Sequence, residues 1–298
     1  MTQQGDDHGI RIFPLSDAEA GPYDLTTGAD EALWITLVHS GEVARLTTDG
    51  GIDRYPVGAP GCRPTVIAAG VDAALWFTRY GDGHIGRITT DGVVTAFGLP
   101  ESGSGPFGIC AGPDGAMWFT ETNADRIGRI TVEGRITHFD LPVREAFPSA
   151  LTCGPDDALW FTLNRADAIG RIDLDGEIAL YPVPGSGAPV GITCGPDDAL
   201  WFVDIAAGRI GRSDCSGAMQ LFPLPDPMAK PHAITAGSAG DCWFTEWGAN
   251  RVGRIELTGA VTEYDLSTEV SEPHGITVGP DGALWTALET GAVARIAP

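Results

Sequence analysis

The stretch Gly105–Leu141, GPFGICAGPDGAMWFTETNADRIGRITVEGRITHFDL, contains one complete unit of the repeat that decides the fold. It opens with a proline and a short β-rich segment, passes a Gly-Pro-Asp turn and enters an apolar segment around Trp118. A loop, an IGRI segment, a short glycine turn and a final ITHFDL segment complete it. Four β-rich segments separated by turn residues are typical of four short antiparallel strands.

This unit recurs along the whole chain and is marked by a tryptophan that follows an apolar residue, at intervals of 42, 42, 42, 41, 42 and 42 residues. Four strands of about 5–6 residues with four short connections need about 42 residues, which is the period of a propeller blade. We therefore predict an all-β fold, one seven-bladed β-propeller domain over residues 1–298. The marker residues are Trp34, Trp76, Trp118, Trp160, Trp201, Trp243 and Trp285.

The two ends of the chain predict how the ring closes. The last repeat stops after its third strand, at ARIAP, and lacks a fourth. Near the N-terminus, Ile10–Leu15 (IRIFPL) resembles the fourth-strand segments Ile136–Leu141 (ITHFDL) and Val261–Leu266 (VTEYDL). We expect this first strand to complete the last blade, which would remove an open sheet edge.

Composition excludes several classes of function. The net charge of −22 argues against nucleic acid or an anionic membrane as partner, because phosphate binding needs clustered Lys and Arg. No apolar run of about 18 residues predicts a membrane helix. The N-terminal segment has no basic region followed by an apolar stretch, so we expect a cytoplasmic protein. We also expect the protein to be a monomer.

The six cysteines do not indicate a disulfide framework. Cys110, Cys153 and Cys194 occupy the same place in successive repeats, and equivalent positions in separate blades do not easily pair. We interpret the cysteines as buried free thiols that pack as small apolar residues.

Two kinds of position are expected to meet at one end of the propeller, because the start of an inner strand and the end of the next strand lie together in an antiparallel sheet. The first kind, the residue after the opening proline, is a histidine in two adjacent blades, although the chain has only six histidines. In blade order these post-proline residues are Tyr23, Thr65, Phe107, Ser149, Val190, His232 and His274.

The second kind of position, at the end of the second strand, carries Arg79, Glu121, Leu163, Asp204, Glu246 and, one residue later, Glu289. Glu272 lies two residues before His274, so that Glu272, His274 and Glu289 all belong to blade seven. Glu121 and Glu246 have a competing structural interpretation as turn caps or as partners of the IGRI arginines. Those arginines recur from blade to blade, which predicts structural ion pairs: Arg87, Arg129, Arg171, Arg212 and Arg254.

This cluster permits metal-assisted acid–base chemistry. Two carboxylates suit a hard cation such as Mg²⁺ that keeps positions open for substrate oxygens. A neutral histidine beside it is a suitable general base near neutral pH. Proton abstraction next to a carbonyl and metal-assisted hydrolysis both remain open at this point.

Several segments resemble the streptogramin B (virginiamycin B) lyase family over essentially the whole chain. The specific matches are the PHAIT segment at Pro231–Thr235, the EPHGI segment at Glu272–Ile276 and the segment Trp243–Ile255 between them. The GPYDLTT opening at Gly21–Thr27 resembles that family's GPYGIT.

The resemblance implies a lyase that linearises type B streptogramins, cyclic depsipeptide antibiotics closed by an ester to a threonine side-chain oxygen, and so confers antibiotic resistance. The implied reaction is a Mg²⁺-dependent β-elimination. Residue by residue, Glu272 and Glu289 match the metal ligands, and His274 matches the catalytic base. His232 and Tyr23 match substrate-binding residues, and the implied partner is the small cyclic depsipeptide alone.

Some positions depart from the family pattern. Asp24 stands where the family has glycine, and the last blade reads LWTALE where WFAxE is typical. These departures remove none of the proposed site residues and leave the substrate range open. Two other functions compete with the lyase: a metal-dependent lactonase or esterase-type hydrolase, and a non-catalytic propeller that binds a partner on its face.

Overall fold

The computed structural model describes residues 9–15, 17–59, 61–185, 187–266 and 272–297, which form 28 β-strands and no helix. The innermost strands open each blade, and they are β2 (Pro22–Thr27), β6 (Pro64–Ala69), β10 (Pro106–Ala111), β14 (Pro148–Cys153), β18 (Pro189–Cys194), β22 (Pro231–Ala236) and β26 (Pro273–Val278). The second strands are β3 (Leu33–Leu37), β7 (Leu75–Arg79), β11 (Met117–Glu121), β15 (Leu159–Leu163), β19 (Leu200–Asp204), β23 (Asp241–Glu246) and β27 (Leu284–Leu288). The third strands are β4 (Glu42–Leu46), β8 (His84–Ile88), β12 (Arg126–Ile130), β16 (Ala168–Ile172), β20 (Arg209–Ser213), β24 (Arg251–Glu256) and β28 (Ala292–Ile296). The outer strands are β5 (Ile52–Pro56), β9 (Val94–Gly98), β13 (Ile136–Asp140), β17 (Ile178–Pro182), β21 (Met219–Pro223), β25 (Val261–Asp265) and β1 (Ile10–Pro14).

These strands pair into seven four-stranded antiparallel sheets, one for each sequence repeat. The innermost strands of consecutive blades contact one another, and β26 returns to β2, so the sheets form a closed ring. The predicted seven-bladed β-propeller is confirmed. No helix that could span a membrane occurs among the described residues, and the cytoplasmic, monomeric state stays a prediction.

The N-terminal strand closes the last blade as predicted. β1 pairs antiparallel with β28, from Ile10 opposite Ile296 to Pro14 opposite Ala292. The Phe13 ring packs 5.0 Å from the Trp285 ring. The two ends of the chain therefore share one sheet, and every other blade is formed from a single continuous segment.

In six of the seven blades the repeated tryptophan donates a hydrogen bond to an aspartate four residues before it. In blade four, Trp160 Nε1 donates to Asp156 Oδ1 at 2.9 Å, and Arg171 Nε donates to Asp156 Oδ2 at 2.6 Å. Partial burial works against ionisation of Asp156, but the two hydrogen bonds outweigh it and lower its pKa. The IGRI arginines thus have the predicted structural role. In blade six, Arg254 donates instead to Asp241.

The cysteines within the described ranges are all free thiols, as predicted. Cys62 and Cys242 are buried and the other four are half-buried. Burial raises the pKa of the Cys242 thiol to about 12, so it behaves as a small apolar residue.

A hydroxyl ladder fixes the position of the post-proline residues. Each inner strand has a register shift just after its opening proline, which frees the next residue from the pairing with the second strand. In blade seven the freed carbonyl, that of His274, accepts a hydrogen bond from Thr245 Oγ1 of blade six at 2.8 Å. The same bond joins Thr162 to the Val190 carbonyl at 2.6 Å. The threonine of the WFT segment therefore positions the post-proline residue of the following blade.

Candidate active site

An aromatic cluster forms where the post-proline residues of blades six, seven and one meet. The Tyr23 ring stacks on the His274 ring, with centroids 4.6 Å apart and an interplanar angle of 28°. The His232 ring meets the His274 ring edge-on at 4.7 Å. Trp247 lies 6.4 Å from His274, and Phe107 meets Tyr23 edge-on at 6.1 Å. The three residues predicted from the post-proline positions are therefore in mutual contact.

Glu289 holds His274 from the neighbouring loop. His274 Nε2 lies 2.5 Å from Glu289 Oε2, and His39 Nε2 lies 3.1 Å from Glu289 Oε1. The hydrogen bond from His274, acting against partial burial, lowers the pKa of the Glu289 carboxyl. Glu289 is therefore ionised at neutral pH, shares a hydrogen bond with His274 and lies within ion-pair distance of His39.

The same hydrogen bond selects the tautomer of His274. A carboxylate only accepts hydrogen bonds, so the proton of a neutral His274 ring resides on Nε2. His274 Nδ1 is buried and has no hydrogen-bond partner within the described part of the chain. The His274 side chain is only 9% exposed. In that neutral form, Nδ1 carries a lone pair with no partner among the described residues, as a general base requires.

His232 and Tyr23 are neutral neighbours of this base. Burial, followed by the nearby His274, lowers the pKa of His232 to about 3. Burial also raises the pKa of Tyr23, and the charges of Asp24 and Glu289 add to that effect. A neutral imidazole and a phenol can donate or accept hydrogen bonds without adding charge, which suits a substrate-binding role.

The two predicted metal ligands are brought together by the backbone. The Glu289 N–H donates to the Glu272 carbonyl oxygen at 3.1 Å. The equivalent bond, from the fourth residue after the marker tryptophan to the pre-proline residue, occurs in every blade, as for Trp247 and Lys230 at 3.2 Å. Only blade seven has acidic residues at both of these positions.

The donor types fit Mg²⁺, although the structure shows no complete ligand set. No group of three or more His, Cys, Asp or Glu side chains among the described residues is arranged to hold a metal ion. Mg²⁺, however, is usually bound by one or two carboxylates, with water and substrate oxygens filling the other positions. Glu289 Oε2 accepts one hydrogen bond and Oε1 lies near His39, so each oxygen retains a lone pair for a cation.

The second-strand ends lie beside the opening prolines as expected, with Glu121 opposite Pro106, but most of their side chains are buried inside the blade. Glu121, Asp204 and Glu246 are fully buried between strands and do not reach the mouth of the channel. Glu121 binds Arg126, and Asp204 binds Arg209, in each case the residue that precedes the IG pair of the third strand. Side chains alternate between the faces of a strand, so a shift of one residue decides between the blade interior and the site.

Glu289 belongs instead to the next position along, the fourth residue after the marker tryptophan. That position lines the mouth, and it also supplies Trp247 in blade six and Tyr80 in blade two. Sequence reasoning missed His39, which lies five residues after Trp34 in blade one and reaches Glu289 across the closure of the ring. Its only sequence signal is its place near the mouth-lining position.

Two cavities meet at the aromatic cluster. A mouth cavity of about 260 Å³ is lined by Glu289, His39 and Phe107, and a channel cavity of about 140 Å³ is lined by His232 and mainly apolar residues. Tyr23 and Phe107 line both. A larger cavity of about 390 Å³ lies at the opposite end of blades six and seven, and no predicted site residue lines it. The convergent polar groups place the candidate site at the mouth and the channel below it.

Comparison with known proteins agrees with this placement. Residues 8–296 match the Virginiamycin B lyase family. A virginiamycin B lyase from Streptomyces coelicolor is 57% identical over 49 residues, a stretch that spans only 16% of each chain.

Solved structures extend the similarity to the whole chain. A streptogramin B lyase structure superposes with a TM-score of 0.93 at 42% identity, covering 96% of both chains. A catalytically inactive histidine-to-alanine variant of virginiamycin B lyase from Staphylococcus aureus, crystallised with quinupristin, superposes with a TM-score of 0.93 at 41% identity. It covers 96% of this chain and 98% of that one.

Proposed function

Because the chain belongs to the virginiamycin B lyase family, we propose that it is a lyase that linearises type B streptogramins by β-elimination at the threonyl ester. The observation that carries the proposal is the state of His274. Its Nε2 is held by Glu289, and its buried Nδ1 has no partner among the described residues. A base in this state is ready to accept a proton from a bound substrate.

His274 acts on the α-carbon of the esterified threonine. Nδ1 takes the α-proton, the electron pair of that bond forms the Cα–Cβ double bond, and the Cβ–O bond breaks. The ester carboxylate leaves with that bond's electrons, so one ring-opened product forms and no water is consumed. Glu289 stabilises the imidazolium that results, because its carboxylate accepts from Nε2 throughout.

Glu272 and Glu289 are the residues that would hold Mg²⁺. A bound divalent cation supplies electrostatic stabilisation of negative charge that develops on ester or amide oxygens. The joined backbones of the two glutamates and the ionised state of Glu289 support this assignment. An amide α-proton is only weakly acidic, so histidine alone is a poor match for the task.

The walls of the site suit a bulky cyclic peptide with aromatic groups. Tyr23 and Phe107 present ring edges and faces to both cavities, and Trp247 stands at the rim. Lys230 lies 4.9 Å over the Trp247 ring and supports it. Neutral His232 and Tyr23 bind the depsipeptide through hydrogen bonds and orient its threonine toward His274. Because both side chains are neutral, they add no charge next to the ester.

Mass spectrometry of the reaction with virginiamycin B tests the proposal. The wild-type protein should yield a linear product of unchanged mass, and His274→Ala should lose at least about a thousandfold in turnover. His84→Ala provides a matched control, since His84 lies on the third strand of blade two and contacts Asp82. A product heavier by one water would identify an esterase-type hydrolase and refute elimination.

The metal assignment has its own test. Titration calorimetry with Mg²⁺ should show binding to the wild-type protein that Glu272→Gln and Glu289→Gln each weaken by at least about tenfold. Chelation by EDTA should abolish turnover, and added Mg²⁺ should restore it. Full activity of the chelated protein would refute the metal requirement. His274 would then have to remove the proton without help from a cation.

A further inference from the structure

One position on the channel wall differs in chemistry from its six equivalents. The second residue after the opening proline faces the channel in every blade, and in six blades it is small and apolar. The equivalents of Asp24 are Val66, Gly108, Ala150, Gly191, Ala233 and Gly275. Blade one alone has a carboxylate at this level, directly after Tyr23.

Asp24 is held rigidly by three blades. Its Oδ2 accepts from the Ile67 N–H of blade two at 3.0 Å. Its own N–H donates to Thr36 Oγ1 at 3.1 Å. On the other side it packs against Gly275 of blade seven, where a Cβ would lie only 2.2 Å from Asp24 Oδ1. The carboxylate is therefore fixed in the wall below His274.

No cation neutralises this carboxylate within the described part of the chain. Among the described residues, no lysine, arginine or histidine nitrogen forms an ion pair within 4.0 Å of the Asp24 carboxylate. Burial raises the pKa of Asp24 to about 7, although the Ile67 and Leu25 N–H groups oppose that effect. Burying an unpaired carboxylate costs free energy, which a bound cation would offset.

The channel cavity next to Asp24 has the shape of a binding pocket for a small group. It measures about 140 Å³, and apart from Tyr23, Asp24 and His232 its lining side chains are apolar. His232 Nδ1 is buried and has no partner among the described residues, so it adds an acceptor or donor to the same space. Aliphatic walls with one anionic end match an ammonium group carried on an apolar stem.

The geometry points to a cation-binding subsite in the central channel, in which Asp24 binds a primary ammonium group whose apolar stem lies along the channel wall below His274. The N–H donors of the ammonium group pair with the Asp24 carboxylate. If the site serves the lyase reaction, it gives a preference for cyclic peptides that carry an amine-bearing substituent, and this part of the inference rests on the proposed function. As a binding site it is independent of turnover.

Ligand titration by nuclear magnetic resonance tests the subsite, with benzylammonium and its neutral analogue benzyl alcohol as probes. At about pH 8, where Asp24 is mainly ionised, the wild-type protein should bind benzylammonium roughly tenfold more tightly than benzyl alcohol. Asp24→Asn keeps an acceptor for the Ile67 N–H and removes the charge, so it should abolish the preference. Asp24→Gly, which reproduces the residue at Gly108 and Gly275, should do the same.

The control and the refuting results are defined by the same titration. Asp53→Asn removes a carboxylate whose side chain is 62% exposed, and it should leave the preference unchanged. Unfolding temperatures confirm that each variant is folded. An unchanged preference in Asp24→Asn, or equal binding of both probes to the wild-type protein, would overturn the inference. Neither result bears on the lyase reaction, which is measured separately.

Discussion

Glu246 and Glu121 occupy the same position in blades six and three but have opposite environments. Both are fully buried. Glu121 accepts from Arg126 at 2.7 and 3.0 Å and lies 2.6 Å from His138 Nδ1. Burial works against ionisation of Glu121, but the bonds from Arg126 outweigh it and lower its pKa. Blade three therefore neutralises its buried carboxylate.

Blade six has no such neutralisation. Glu263 stands at the position that corresponds to His138, and Arg251 Nε donates to Asp265 at 2.7 Å instead of to Glu246. Both Glu246 oxygens are buried without a hydrogen-bond partner among the described residues. Burial, followed by the charge of Glu263, raises the pKa of Glu246 to about 8.

We expect Glu246→Gln to stabilise the protein at alkaline pH. The pKa of Glu246 in the fold lies above its ordinary value of 4.5, so its contribution to stability is complete below that pH and is lost as the pH rises through about 8. Relief of the buried unsatisfied carboxylate should add about 1–3 kcal/mol to the free energy of unfolding at about pH 8. That corresponds to roughly 2–8 °C in Tm. At about pH 5 the gain should nearly vanish, because wild-type Glu246 is then mostly protonated.

Differential scanning calorimetry of both variants across this pH range is the assay. Glu121→Gln is the matched control, and it should lose about 1.5–3 kcal/mol at neutral pH because it removes the charge that Arg126 pairs with, leaving Arg126 only its contact with Glu101 among the described residues. A Glu246→Gln protein less stable than wild type at about pH 8, or an equal gain at both pH values, would refute the account of the Glu246–Glu263 pair.

Three further outcomes follow from the contacts between and within blades. Deletion of Ile10–Pro14 should remove the closing strand, expose the edge of β28 and lower Tm while promoting aggregation, as size-exclusion chromatography would show. Asp156→Asn weakens the bonds from its tryptophan and arginine and should cost about 1–3 kcal/mol in urea denaturation. Thr245→Val removes the bond to the His274 carbonyl and should lower kcat. Thr162→Val removes the equivalent bond in blade four and should change stability by a similar amount while leaving kcat unchanged.

The fold could be predicted from the sequence because the propeller is a repetition of local units. Each blade needs only its own marker tryptophan and strand pattern, supported by a turn aspartate in six of the seven blades, and these recur within about one period of chain. Closure could be predicted for the same reason. The last repeat lacks a fourth strand, and the segment Ile10–Leu15 resembles the fourth strands of other repeats. Repetition also showed that His232 and His274 are unusual, because the other blades give the ordinary residue at their position.

The neighbours of the site residues were decided by tertiary structure alone. The repeat period tells which blade a residue belongs to and at which end of the blade it lies. Which face of the strand its side chain occupies changes with a shift of one residue. That shift places Glu289 at the mouth and Glu246 inside its blade. Contacts between the first and last blades depend on ring closure. Closure places His39 of blade one against Glu289 of blade seven, although the two residues are far apart in sequence. For the same reason only the assembled ring places Asp24 on the channel wall, half-buried and without a cation beside it among the described residues.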